Sequence, residues 1–193
     1  GAALDRLTQE LLRLMRTDRV LAIWLFDESG SMKDDQEELK GRIHRVYEEL
    51  KIVQDDADKL NGRRRRKSSR NDDILLTAIA SFGAGFHVHT PKPTSDSKRL
   101  LQAIDKIPID RTGKENMCTA ILAALKQFGS LSRGRKIALI VVSDESGDDG
   151  DPYLPPGVDR VEETLAALKA RRAPAYILGR EAVFGNFYAY VRW

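Results

Sequence analysis

The tetrapeptide Asp-Glu-Ser-Gly occurs twice in the chain, at 27–30 and at 144–147. Each copy closes an apolar run, Val20 to Phe26 in the first case and Ile137 to Val142 in the second, where Ser143 intervenes. Two carboxylates brought close together repel and raise each other's pKa unless a cation lies between them. Asp27 and Asp144 are therefore candidate ligands of one ion. The first copy continues as Asp27-x-Ser29-x-Ser31. On a tight loop after a strand, alternate residues can turn their oxygens to one centre, here one carboxylate and two hydroxyls. An all-oxygen donor set suits a hard divalent cation, Mg²⁺, Ca²⁺ or Mn²⁺. Zinc is disfavoured, because no Cys/His pair has the spacing it needs.

These loops need strands beneath them. Val20 to Phe26 and Ile137 to Val142 are short and continuously apolar, as strands buried on both faces are. A helical stripe follows the first, with Ile43, Val46, Tyr47, Leu50, Val53, Ala57 and Leu60 spaced by three and four within Lys33 to Leu60. Ile74 to Phe82 and Phe86 to Thr90 are expected as strands of a hairpin turned at Gly83-Ala84-Gly85. Helices are expected at Asp96 to Ile107, after the loop from Pro108 to Met117, and at Val158 to Arg171, with a further strand at Ala175 to Leu178 and a last one in the aromatic tail from Tyr188. Strands alternating with helices predict an α/β fold, a doubly wound, mostly parallel sheet with one antiparallel strand and helices on both faces. In such sheets ligands bind beyond the carboxyl ends of the strands, where the strand order reverses. The stripe Leu4, Leu7, Leu11, Leu12, Leu14 and Met15 makes residues 1–18 a helical appendage to a domain spanning 19–193.

Asp27-Glu28-Ser29-Gly30-Ser31-Met32 after an apolar strand resembles the Asp-x-Ser-x-Ser motif of von Willebrand factor type A (VWA) domains. In that family it is the first part of the metal-ion-dependent adhesion site. The second part is a Thr in a Gly-x-Thr-x-Thr type loop opening a helix, and the third is an Asp ending the fourth strand. The resemblance implies a Rossmann-like VWA fold over about Val20 to Trp193, with Asp27, Ser29, Ser31 and Asp144 as metal ligands. Gly113 to Ile121 matches the second part in position, but Glu115 stands where the family has Thr, and Met117 replaces the next Thr. Glu115 would then be a fifth donor, a third negative charge against a divalent ion. A net-negative site should hold its metal more tightly and attract an external carboxylate less. The resemblance further implies a non-enzymatic, metal-dependent module whose loops bind a protein partner.

The competing reading is a Mg²⁺-dependent phosphoryl-transfer or hydrolytic enzyme with Asp27 as nucleophile. Such sites need a second acid close by, and Ser29 stands there instead. No phosphate loop, dinucleotide fingerprint or nucleophile elbow is present. The 193 residues carry 32 Lys and Arg against 29 Asp and Glu, an excess of +3 that does not argue for a nucleic-acid binder. The basic tract Arg63 to Lys67 is expected as an exposed connector. The longest apolar runs fall well short of the roughly 20 residues a membrane span needs. The single cysteine, Cys118, rules out an internal disulfide. His87 and His89 share a strand face, with no third ligand evident, and are expected to serve packing or the surface.

Overall fold

The sheet has five strands in the order β3-β2-β1-β4-β5 among the described residues. They are β1 (Val20–Asp27), β2 (Leu75–Phe82), β3 (Phe86–Val88), β4 (Lys136–Val142) and β5 (Ala175–Leu178). The structure is a computed structural model that describes residues 2–33, 39–41, 43–50, 73–144 and 160–179. Its helices are α1 (Ala2–Met15), α2 (the helical residues 39–41 and 43–50), α3 (Ser97–Ile104), α4 (Met117–Gly129) and α5 (Arg160–Ala170). The basic tract Arg63 to Lys67, the far end of the helix expected to reach Leu60, the acidic loop after Asp144 and the aromatic tail lie outside the described residues.

β1 pairs in parallel with both β2 and β4, and β4 in parallel with β5. β3 turns back antiparallel to β2, so the sheet is mixed as expected. Every residue of β1 is buried, because alternate side chains enter two separate cores. Val20, Ala22, Trp24 and Phe26 join Leu7 and Leu11 of α1, Ile43 and Leu50 of α2 and Leu100 of α3. Leu21, Ile23 and Leu25 join Ile121, Leu125 and Phe128 of α4. The larger of these side chains, valine, leucine, isoleucine and phenylalanine, each contribute roughly 1.5–3 kcal/mol on burial. Helices therefore cover both faces. The N-terminal helix lays its apolar stripe into the same core as Trp24 and Phe26.

Two element ends differ from expectation for local reasons. α3 starts on Asp96, whose carboxylate caps Lys98 N and Arg99 N, but it stops at Ile104 rather than Ile107. Ile107 precedes Pro108, and the proline ring disfavours helical geometry at the residue before it. β3 stops at Val88 because His89 N and Thr90 N both donate to Ile79 O, at 2.9 and 3.1 Å. Two residues facing one interrupt the ladder there.

The strand order reverses at β1, with β2 on one side and β4 on the other. The carboxyl ends of β1 and β4 are thus neighbours, with Phe26 paired to Val142. That register sets Asp27 beside Ser143 and Asp144.

Candidate functional site

Asp27 ends β1 without exposed surface. Its Oδ1 accepts the N–H of Ser29 at 2.7 Å, and its Oδ2 accepts the hydroxyl of buried Ser143 at 2.7 Å. The Asp27–Ser29 bond is a side-chain-to-backbone turn that swings the chain out of the strand. A single turn of tighter helix, Gly30–Met32, follows. The result brings the Ser29 and Ser31 hydroxyls within 3.0 Å of each other, and Ser31 Oγ donates to Asp144 Oδ1 at 3.4 Å. Burial pushes the Asp27 carboxyl above its ordinary range, hydrogen bonds from Ser143 and Ser29 oppose that rise, and the Asp144 charge adds to it. The two acidic turns, 117 residues apart (144 − 27), thus converge over the sheet. Gly179 lets the end of β5 approach, since a side chain there would meet Ser143 O at 2.5 Å.

Exposure grows outward along this group: Asp27 is sealed, Ser29 nearly so, and Ser31 is open to solvent. Neighbouring ligands of an octahedral ion with bonds of about 2.1 Å lie about 3.0 Å apart, the separation of the two serine oxygens. Ser29 Oγ, Ser31 Oγ and Asp144 Oδ1, above the buried Asp27 carboxyl, are the oxygen donors from which a small hard cation could be held here. No three His, Cys, Asp or Glu side chains are gathered around one point among the described residues. A cation here would depend on the hydroxyls, and Glu115 does not complete a three-carboxylate cage with Asp27 and Asp144.

Glu115 lies half-buried in the loop before α4, where Met117 N donates to its carbonyl. What joins this loop to the motif is Asp110, which sequence reasoning missed. Its N–H donates to Glu28 O at 2.8 Å, placing it in a parallel bridge with Ser29. Its carboxylate accepts Ala84 N and Thr112 N, each at 2.7 Å. The bond from Ala84 N, with those from Thr112, holds the Asp110 carboxyl below the usual range. The signal in the sequence was Asp110 two residues before Thr112 and three before Gly113, the pattern of an Asx-turn.

Beside the motif, and on the opposite parity of β1, lies a second polar group. Glu28 is buried, and its Oε1 accepts the Ser81 hydroxyl and faces His87 Nδ1 at 2.7 Å. His89 Nε2 stands 2.6 Å from Ser81 Oγ. Ser81 has one hydroxyl proton, committed to Glu28, so His89 must carry the proton on Nε2 and donate it. The two histidines are thus engaged in a hydrogen-bonded network with Glu28 and Ser81, in keeping with the packing or surface role expected of them, and are not gathered as metal ligands among the described residues. Burial lowers the His89 pKa, opposed by the Glu28 charge.

The VWA family matches residues 22–147, described as the von Willebrand factor type A domain. No curated protein matches the sequence significantly. Among solved structures, BatB from Bacteroides thetaiotaomicron is similar at 22% identity with a TM-score of 0.56, over 83% of this chain and 66% of that one. Proximal thread matrix protein 1 from the mussel byssus is similar at 13% identity and a TM-score of 0.57, over 86% of this chain and 37% of that one. The SpRpn10 VWA domain is similar at 14% identity and a TM-score of 0.54, over 85% of this chain and 76% of that one. At these identities the likeness is one of fold, and the chain spans less than two thirds of the first two structures' own length. The family match over 22–147, laid on a five-stranded sheet whose switch point carries Asp27, Ser29, Ser31 and Asp144, shows that the chain belongs to the von Willebrand factor type A domain family.

Proposed function

We propose that this chain is a non-enzymatic protein-binding module that engages its partner in the presence of a divalent cation, through the loops at the carboxyl ends of β1 and β4 and the loop before α4. One observation carries the reading. The Ser29–Ser31–Asp144 oxygens form a continuous line, with contacts of 3.0 and 3.4 Å, over a sealed Asp27. Ser29, Ser31 and Asp144 would hold Mg²⁺, Ca²⁺ or Mn²⁺, and Asp27 would supply charge from beneath. Bound there, the cation supplies an electrophilic position that an oxygen of a partner protein can fill.

The chain's own residues do the positioning. The bond from Ser29 N to Asp27 fixes the turn, and Ser143 fixes the Asp27 rotamer. Glu115, in the loop that Asp110 ties to the motif, would add negative charge, favouring metal retention over capture of an external carboxylate. The burial of Asp27, with both oxygens accepting hydrogen bonds, speaks against its attacking a phosphoryl or acyl group, because a nucleophile must reach its substrate. Among the described residues no helix is long and apolar enough to cross a membrane.

The test is isothermal calorimetry with Mg²⁺, Ca²⁺ and Mn²⁺ on the parent and on Asp144→Asn. Saturable one-to-one binding by the parent, weakened at least tenfold in the variant, is expected. Equal heats for both proteins would remove the site.

A further inference from the structure

We infer that Asp110 is a positioning residue for this site: it fixes the backbone of Ser29 and so the place of the Ser29 hydroxyl. The inference rests on the metal reading above. Asp110 touches neither the hydroxyls nor the Asp144 carboxylate in any described contact; it acts through the frame that holds them.

That frame is a closed circuit of hydrogen bonds. Asp110 N donates to Glu28 O, one residue before Ser29, and the Ser29–Asp110 bridge aligns the two segments. The Asp110 side chain then anchors its own backbone in two directions. Oδ2 accepts Ala84 N in the β2–β3 turn, and Oδ1 accepts Thr112 N in its own loop. The turn is tied back a second time by Asn116, whose N–H donates to Gly83 O at 3.2 Å and whose Nδ2 donates to Ala84 O at 3.3 Å. Glu28 N closes the circuit by donating to Phe82 O at 2.8 Å. Four segments meet here: the motif loop, the end of β2, the hairpin turn and the loop before α4. Asp110 is the side chain that binds the last two while its backbone holds the first.

Gly83 is the seat for this carboxylate. A Cβ on Gly83 would lie 2.8 Å from Asp110 Cβ and closer still to Oδ2. No rotamer change of a flexible tip relieves a clash with a Cβ, so any larger residue at 83 must push Asp110 off its bonds. Gly83 needs no left-handed backbone for this role; the requirement is space alone. Asp110 and Gly83 are thus a matched pair, and altering either should displace Ser29 in the same way.

A purely structural role and a positioning role are separated by a double-mutant cycle. Calorimetry with Mg²⁺ alone compares the parent, Asp110→Ala, Gly83→Ala, Ser29→Ala and Asp110→Ala/Ser29→Ala. Asp110→Ala and Gly83→Ala should each weaken Mg²⁺ binding by tenfold or more. Asp110→Asn, which keeps one of the two acceptors, should fall between Asp110→Ala and the parent. In the Ser29→Ala background Asp110→Ala should add less than threefold, because the hydroxyl it places is already gone. Tyr47→Phe, which removes the remote buried hydroxyl between Trp24 Nε1 and Thr77 Oγ1, is the folding control and should lower the melting temperature without changing Mg²⁺ affinity. Parent affinity in Asp110→Ala overturns the inference, as does a full tenfold effect that persists without Ser29. Absence of Mg²⁺, Ca²⁺ and Mn²⁺ binding by the parent overturns the metal reading itself and this inference with it.

Discussion

Ser143 and Asp27, both without exposed surface, are joined by a hydrogen bond of 2.7 Å from the Ser143 hydroxyl to Asp27 Oδ2. The bond stitches the ends of β1 and β4 together where the strand order reverses. A hydrogen bond to a buried charged acceptor contributes about 1.5–3 kcal/mol, more than a neutral one. Ser143→Ala should therefore lower unfolding free energy by about that amount in urea titration, with an unchanged slope. A loss under about 0.5 kcal/mol would mean that the stitch is not what holds the strand ends.

Asp27 itself is placed at a cost. Burial raises its carboxyl pKa, so the ionised form is disfavoured in the fold, and the nearby Asp144 charge adds to the penalty. Asp27→Asn can keep both bonds, its carbonyl accepting from Ser29 N and its amide donating to Ser143 Oγ. At pH 7.5 without metal this variant should melt at or above the parent's temperature. The metal response should go the other way. At a hundredfold excess over the parent's Kd, Mg²⁺ should stabilise the parent by about 2.7 kcal/mol and Asp27→Asn by clearly less. An apo variant that melts well below the parent would show that Asp27 serves stability first.

His89 gives the fold a pH dependence whose sign follows from its surroundings. Burial lowers its pKa below the ordinary 6.5, so the folded state favours the neutral ring and binds fewer protons than the unfolded chain. Its contribution is present in full above 6.5 and is lost as pH falls from there through the lowered folded value. His89→Gln keeps a donor toward Ser81 and removes the titration. Denaturation at pH 7.5, 6.5 and 5.5 should show the parent losing more stability than the variant below pH 6.5. Parallel losses in the two proteins would assign the acid sensitivity to the carboxylates.

The parts of this molecule legible in its sequence are those that obey a local period. β1 and β4 announced themselves as apolar runs, because a strand feeding two cores has no polar face to show. The meeting of Asp27, Ser29 and Ser31 was legible because a turn after a strand places alternate residues together, and the approach of Asp144 to them because the motif recurs at a second strand end. Ser143, Asp110 and Glu28 were not. Ser143 looks like loop punctuation until the register of β1 on β4 sets it against Asp27. Asp110 acts through its bridge to Ser29, 81 positions away (110 − 29), which no local spacing encodes. Glu28 carries no local signal of burial in the sequence, where it is only the second residue of the motif. It is buried because it continues the parity of Trp24 and Phe26 and meets Ser81 and His87 from other strands.

Glu115 tests how far charge alone shapes the site. Its loop is bound to the motif through Asp110, yet its carboxylate forms no three-acid cage with Asp27 and Asp144. It should then act on a cation through the field it adds at the rim, an effect on the order of 0.5–1 kcal/mol for a partly screened charge. Glu115→Thr should weaken Mg²⁺ binding by roughly two- to fivefold in calorimetry, far less than Asp144→Asn, and the difference should shrink at high salt as the Debye length falls from about 10 Å toward 3 Å. A loss as large as that of Asp144→Asn would make Glu115 a direct ligand. Tighter binding by the threonine variant would show that the third charge burdens the site, contrary to the proposal that it helps retain the metal.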